Sequence, residues 1–129
     1  MSMDYGFSKT VALSYDETVS KVTDELNKEG FGVLTTIDVK DTLKKKLNVE
    51  FRRYVILGAC NPPFAHKALL AEEQIGLLLP CNVIVYEKGG KTVVSAFDPM
   101  VMTKIIDNAA VVPVAEEVKT RLQRVIERV

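Results

Sequence analysis

The sequence predicts an α+β domain: a single mixed, largely antiparallel β-sheet packed against helices. Three observations carry that expectation. Stretches with the two-residue alternation or β-branched content of strands interleave with stretches whose apolar residues recur every three to four positions. Gly89-Gly90 stands between two strand-like runs and joins them as an antiparallel hairpin. With 129 residues and 47% hydrophobic content the chain can fill one core, so residues 1–129 read as a single domain.

The elements follow in order. Residues 7–13 place Phe7, Lys9, Val11 and Leu13 on one face of a strand and Ser8, Thr10 and Ala12 on the other. Ser14 stands three residues before Glu17, a capping-box spacing that starts a helix. Tyr15, Val19, Val22 and Leu26 then form its apolar stripe, and Gly30 supplies the left-handed stop. Residues 31–37 are β-rich and end at Asp38, a cap for a short helix with Val39, Leu43 and Leu47 on one side and Lys40, Lys44, Lys45 and Lys46 on the other. Those lysines read as a solvated face whose basic end complements the helix dipole.

Residues 55–59 form a continuous apolar run of strand length with Gly58 inside it, the mark of a bulge or a close backbone approach. Asn61 is then a favoured cap, and Pro62 and Pro63 fit the first turn of a helix expected to bury Phe64, Ala65, Ala68 and Leu69. After Glu72-Glu73 the chain breaks or makes a second short turn. A strand starts at Cys81, the hairpin returns through residues 91–97, and Asp98-Pro99 repeats the cap-then-proline signature before a short helix. The last helix opens at Pro113 and runs a stripe of Val114, Val118, Leu122, Val125, Ile126 and Val129. One sheet with helices on a single face leaves its other face to be covered, which makes a homodimer an expectation.

Charge and composition exclude several function classes. Seventeen basic residues balance seventeen acidic ones, so no net field recruits nucleic acid or an anionic membrane surface. The apolar stretches fall short of a membrane span, and the opening M-S-M-D-Y-G has neither a basic n-region nor an apolar h-region, which reads as a cytoplasmic protein. Two cysteines are too few for a secreted disulfide framework. No G-x-S-x-G elbow, phosphate-binding loop or G-x-G-x-x-G occurs, so hydrolase, nucleotide and dinucleotide chemistry lose their usual support, and no cofactor is expected.

What remains is the stretch 54–85, which holds both cysteines, the only histidine and the dipeptide Cys-Asn twice. If the strand ending at Cys60 pairs antiparallel with the one beginning at Cys81, both thiols lie at the same edge of the sheet. Free cysteine is among the most buried residue types, so packing is one reading. A second is redox or nucleophilic work, with Cys60 next to a helix start that favours a thiolate and Cys81 as its resolving partner. The third, a metal held by Cys60, Cys81 and His66, has only three ligands at irregular spacing, and no metal is expected. Asn61 and Asn82 can satisfy loop backbone or bind a ligand's polar atoms. Arg52, Arg53 and Lys67 flank the region and can receive an anion or stay solvated, while Tyr54 can present its hydroxyl or pack. The candidate site is therefore Cys60, Asn61, Cys81, Asn82, Tyr54 and His66.

The runs Y-V-I-L-G-A-C-N-P-P-F-A-H-K-A-L and I-G-L-L-L-P-C-N-V-I-V resemble the signature of a bacterial and archaeal family catalogued as domain of unknown function 302. E-G-F-G-V-L-T-T-I-D-V-K-D-T-L-K-K-K-L and V-S-A-F-D-P-M are similar to the same family, so the resemblance covers nearly the whole chain. Arg53, where members often carry proline or lysine, is a minor departure. The resemblance implies a stand-alone α+β domain and brings no activity with it. The residues themselves favour binding of a small ligand at the Cys-Asn-Pro and Pro-Cys-Asn edge of the sheet. A thiol-dependent enzyme and an interaction module with buried cysteines are the alternatives.

Overall fold

The computed structural model describes residues 2–129, with side chains from residue 4 onward. Its elements are β1 (Ser2–Met3), β2 (Gly6–Val11), α1 (Tyr15–Lys28), β3 (Gly32–Asp38), α2 (Val39–Leu47), β4 (Tyr54–Cys60), α3 (Pro62–Ala71), β5 (Cys81–Lys88), β6 (Lys91–Phe97), α4 (Val101–Ile105) and α5 (Val112–Arg128). Short 3₁₀ helices at Glu73–Leu78 and Ala109–Val111 complete it. The strands form one sheet in the order β1-β2-β6-β5-β4-β3, and every pairing is antiparallel. The α+β class holds, and β1 is the one strand the sequence did not suggest.

Local chemistry sets the element ends. Ser14 Oγ accepts from Glu17 N at 3.1 Å and Glu17 Oε1 accepts from Ser14 N at 3.2 Å, so the capping box forms in full. Gly30 takes φ +87°, which suits a residue without Cβ at the end of α1. Asp38 caps α2 by accepting from Asp41 N at 2.9 Å.

The core lies between one face of the sheet and helices α1 and α5. Val55, Leu57, Val83, Val85, Val94 and Ala96 of the strands meet Val22 and Leu26 of α1 and Leu122, Val125 and Ile126 of α5. A smaller cluster of Ala68, Ile75, Met102 and Val111 closes the end of the molecule where β4 finishes and β5 begins. Burying these side chains is worth about 1.5–3 kcal/mol each for the larger ones.

Two helix expectations need correction. No residue of α2 is buried, and Leu47 is 66% exposed, because α2 flanks β3 and β4 at the margin of the sheet instead of lying on the core. In α3 only Ala68 is buried; Phe64 and Ala65 are half-buried and Leu69 is exposed, because this helix spans a cavity and not a packed layer. No helix among the described residues is long and apolar enough to cross a membrane.

Candidate functional site

Strands β4 and β5 pair so that Ala59 faces Cys81 and Gly58 faces Asn82. Both cysteines therefore stand at one end of the sheet, offset by one residue. The partners Ala59 and Cys81 share the core face, and alternation along β4 gives Cys60 the opposite parity. The two signature runs also interlock. A Cβ on Gly58 would collide with Thr35 Oγ1 and lie 2.9 Å from Pro80 Cγ, so the glycine leaves the room into which the proline of Leu-Pro-Cys-Asn packs.

At this end the sheet, α3 and α5 enclose an apolar cavity of about 310 Å³. Phe31, Ala59, Phe64, Ala68, Leu79, Pro80, Met102, Val111, Val114 and Val118 supply its walls, and exposed Leu34 and Leu69 carry it to the surface. Cys60, Asn61 and Cys81 are its polar members. The volume sits at the lower end of the range for small-molecule sites, roughly 300–1,000 Å³, and the lining fits an apolar molecule.

The polar members differ in what they have left to give. Both cysteines are free thiols. Burial, with a smaller contribution from the neighbouring Cys60, pushes the Cys81 thiol up to about 11, which keeps it protonated at neutral pH. Asn61 occupies the cap position of α3 but makes no capping bond. Its Nδ2 donates instead to Glu29 O at 3.1 Å, a carbonyl that also accepts from Arg121 at 3.0 Å. The expected cap is thus a tether between α3 and the end of α1, because Gly30 leaves room for the amide: a Cβ there would stand 3.2 Å from Asn61 Nδ2. The Glu29 carboxylate is itself buried and takes Arg124 and Arg128 of α5 at 2.8 and 2.9 Å. The hydrogen bond from Arg124, outweighing burial, holds its carboxyl below the usual range.

The start of α3 is a poor thiolate cradle. Pro62 and Pro63 have no N–H, so of the first three helical positions only Phe64 offers an amide. Among the described residues no group of three or more His, Cys, Asp and Glu is placed to hold a metal ion.

The structure thus gathers Cys60, Asn61 and Cys81 around one cavity and sends the other three candidates elsewhere. Asn82 is exposed and lies with Tyr54 along a depression on the opposite sheet face. Tyr54 is at the far end of β4 from Cys60, stacked on Tyr86 with ring centroids 5.1 Å apart. His66 is exposed on α3 and lines neither hollow. Arg52 and Arg53 also precede β4 at its far end, so neither flanks Cys60 in space; Arg53 pairs with Asp16 at 2.7 Å and lies over the Tyr15 ring. Lys67 rests over Phe64. Val114 and Val118 are legible in sequence only as part of a buried helical stripe, and Met102 and Val111 stand in a five-residue helix and a 3₁₀ turn too short to show a periodicity, so none of the four signals a cavity wall.

A family model described as "Domain of unknown function DUF302" matches residues 7–129. Among solved structures the chain is similar to the crystal structure of an uncharacterized conserved protein DUF302 from Bacillus stearothermophilus. The two are 28% identical over 98% of each chain, with a TM-score of 0.91. No curated protein matches. With its signature runs interlocked at one end of the sheet and the family model spanning all but the first six residues, the chain belongs to the family of domain of unknown function DUF302.

Proposed function

We propose that this protein binds a small, predominantly apolar molecule in the cavity between α3, α5 and the paired ends of β4 and β5, and that it does so as a cytoplasmic homodimer. The observation that carries the ligand reading is the lining: an apolar hollow of about 310 Å³ that reaches the surface and holds only Cys60, Asn61 and Cys81 as polar members. Apolar walls give affinity through area removed from water, and the Cys60 thiol is positioned to orient the ligand by a weak hydrogen bond. Asn61 shapes the wall while its amide stays on Glu29.

The test is binding of an environment-sensitive apolar fluorophore to the native protein, compared with Ala68→Phe, which fills the hollow from α3. A saturable signal lost in a folded Ala68→Phe variant supports the reading. No saturable signal, or a signal indifferent to that substitution, sinks it.

The thiol reading retains one favourable observation, that Cys60 is only half-buried and lines the hollow. It is the weaker of the two because its proposed partner Cys81 is held as a thiol and the helix start beside Cys60 lacks two amides.

A further inference from the structure

Asn61 is 6% exposed and lines the apolar cavity, yet only one end of its amide has a partner. Nδ2 donates to Glu29 O at 3.1 Å. A carbonyl oxygen can only accept, so the atom facing it is the nitrogen and the amide cannot be turned round. Oδ1 is therefore held away from Glu29, and among the described residues nothing donates to it, since no capping bond forms to the start of α3. Nor is it sealed. Glu25 Oε1 is the one fully enclosed side-chain polar atom without a partner among the described residues, so Asn61 Oδ1 still meets open space. The space that Asn61 borders is the cavity. An acceptor beside an apolar hollow costs free energy until something donates to it.

We propose that the cavity ligand is an uncharged hydroxyl compound, a phenol or alcohol, whose O–H is donated to Asn61 Oδ1 while the Cys60 thiol donates weakly to the same hydroxyl oxygen. This class rests on the cavity reading above and names the molecule that such a cavity takes.

Charge narrows the class first. Among the described residues no wall of the cavity carries Asp, Glu, His, Lys or Arg. A carboxylate or an ammonium there would leave water without a counter-charge, at a cost far above that of a neutral hydroxyl. Lys67 and Arg121 lie against the Phe64 ring, but neither borders the hollow, and Arg121 is committed to Glu117 and the Glu29 carbonyl.

The sense of the hydrogen bond narrows it further. A ligand carbonyl or ether only accepts and leaves Oδ1 unpaired, and a ring N–H only donates. A hydroxyl does both, which suits Oδ1 and the S–H of Cys60, the neighbouring residue on the same wall. Size follows from volume. At about 310 Å³ the cavity is about twice the ~150 Å³ hollow that holds benzene, so a pair of fused rings fits between Phe31 and the other walls.

The compounds 2-naphthol, 2-methylnaphthalene and 2-naphthoate present the same rings with a donor, a methyl group and an anion, and titrating each at pH 7 tests the class. Naphthyl emission can be followed directly because the chain has no tryptophan. Naphthol is expected to bind about fivefold more tightly than methylnaphthalene although it is the less apolar. Naphthoate is expected to bind at least about tenfold more weakly than naphthol. In Asn61→Leu, a change of similar volume, the order of naphthol and methylnaphthalene is expected to reverse, because the hydroxyl is then buried without its acceptor. Should that variant not fold, the wild type still decides: the side-chain carbonyl carbon of Asn61, followed by NMR, is expected to shift with naphthol and not with methylnaphthalene. Equal affinity for those two, or naphthoate bound as tightly as naphthol, overturns the class and leaves a general apolar site. A folded Asn61→Leu that keeps the preference for the hydroxyl, or an Asn61 carbonyl that does not distinguish the two, overturns the role of Oδ1. If none of the three binds saturably while the apolar fluorophore does, the class falls and the cavity reading stands; if nothing binds, both fall.

Discussion

Cys60-Asn61 and Cys81-Asn82 are the same dipeptide in two places, and the fold treats them oppositely. In the first the thiol is half-buried and the amide buried; in the second the thiol is buried and the amide exposed. The cause is register. Ala59 faces Cys81, so the second cysteine falls on the core face where the first does not, and Asn82 follows Gly58 to the opposite face. Asn61 has already left the strand and turns back to Glu29. A repeated motif therefore marks a place in the chain without assigning a common role, and the pairing of the strands decides which copy is structural.

The sharpest way to break the pairing is at Gly58. Gly58→Val puts a branched side chain where Thr35 and Pro80 already are, and should cost about 3 kcal/mol in denaturant unfolding through displaced neighbours. The two asparagines come next. Asn61→Ala removes a buried donor from the Glu29 carbonyl and should cost about 2 kcal/mol, while exposed Asn82→Ala should fall within about 0.5 kcal/mol. Equal costs would refute the division drawn between them. Glu29 itself adds a pH signature. Its carboxyl is held below the ordinary value by Arg124, so its contribution is complete above that value and is lost as the pH falls through the lowered one. Glu29→Gln should flatten the acid limb of the stability curve, by less than the loss of a fully buried pair would because Arg124 and Arg128 are 40 and 49% exposed.

These contrasts also mark what the residues disclose before folding. Ser14 with Glu17, Asp38, Gly30 and Gly89-Gly90 specify local geometry, so the elements from α1 to the β5–β6 hairpin are legible from sequence within a residue or two. The cavity is half legible. Cys60, Asn61 and Cys81 belong to it and were visible as chemistry, but Tyr54 stands at the far end of the same strand and His66 outside. Sequence proximity located the turn and could not say which side chains close on it, since that depends on where α4 and α5 pack. Asn61 misled because a cap residue followed by proline has two uses, and the vacancy beside Gly30 selects the second.

The two thiols supply the smallest and most specific contrast. Native Cys60 should react with iodoacetamide well before Cys81, because Cys81 is 6% exposed and Cys60 lines an open hollow. Titration then reads the environment of Cys81 directly. Its folded value lies at about 11, above the ordinary thiol, so the unfolded chain loses that proton first and the folded state is progressively disfavoured as the pH climbs past the unfolded value. Near pH 10 the difference amounts to about 1.4 kcal/mol, one tenfold step in the proton equilibrium. Cys81→Ala should remove this alkaline slope whatever it does to stability at neutral pH, because the readout is the change with pH and not the level. A slope that survives the substitution would mean that burial of Cys81 is not what loads the alkaline limb, and the distinction between the two thiols would then rest on accessibility alone.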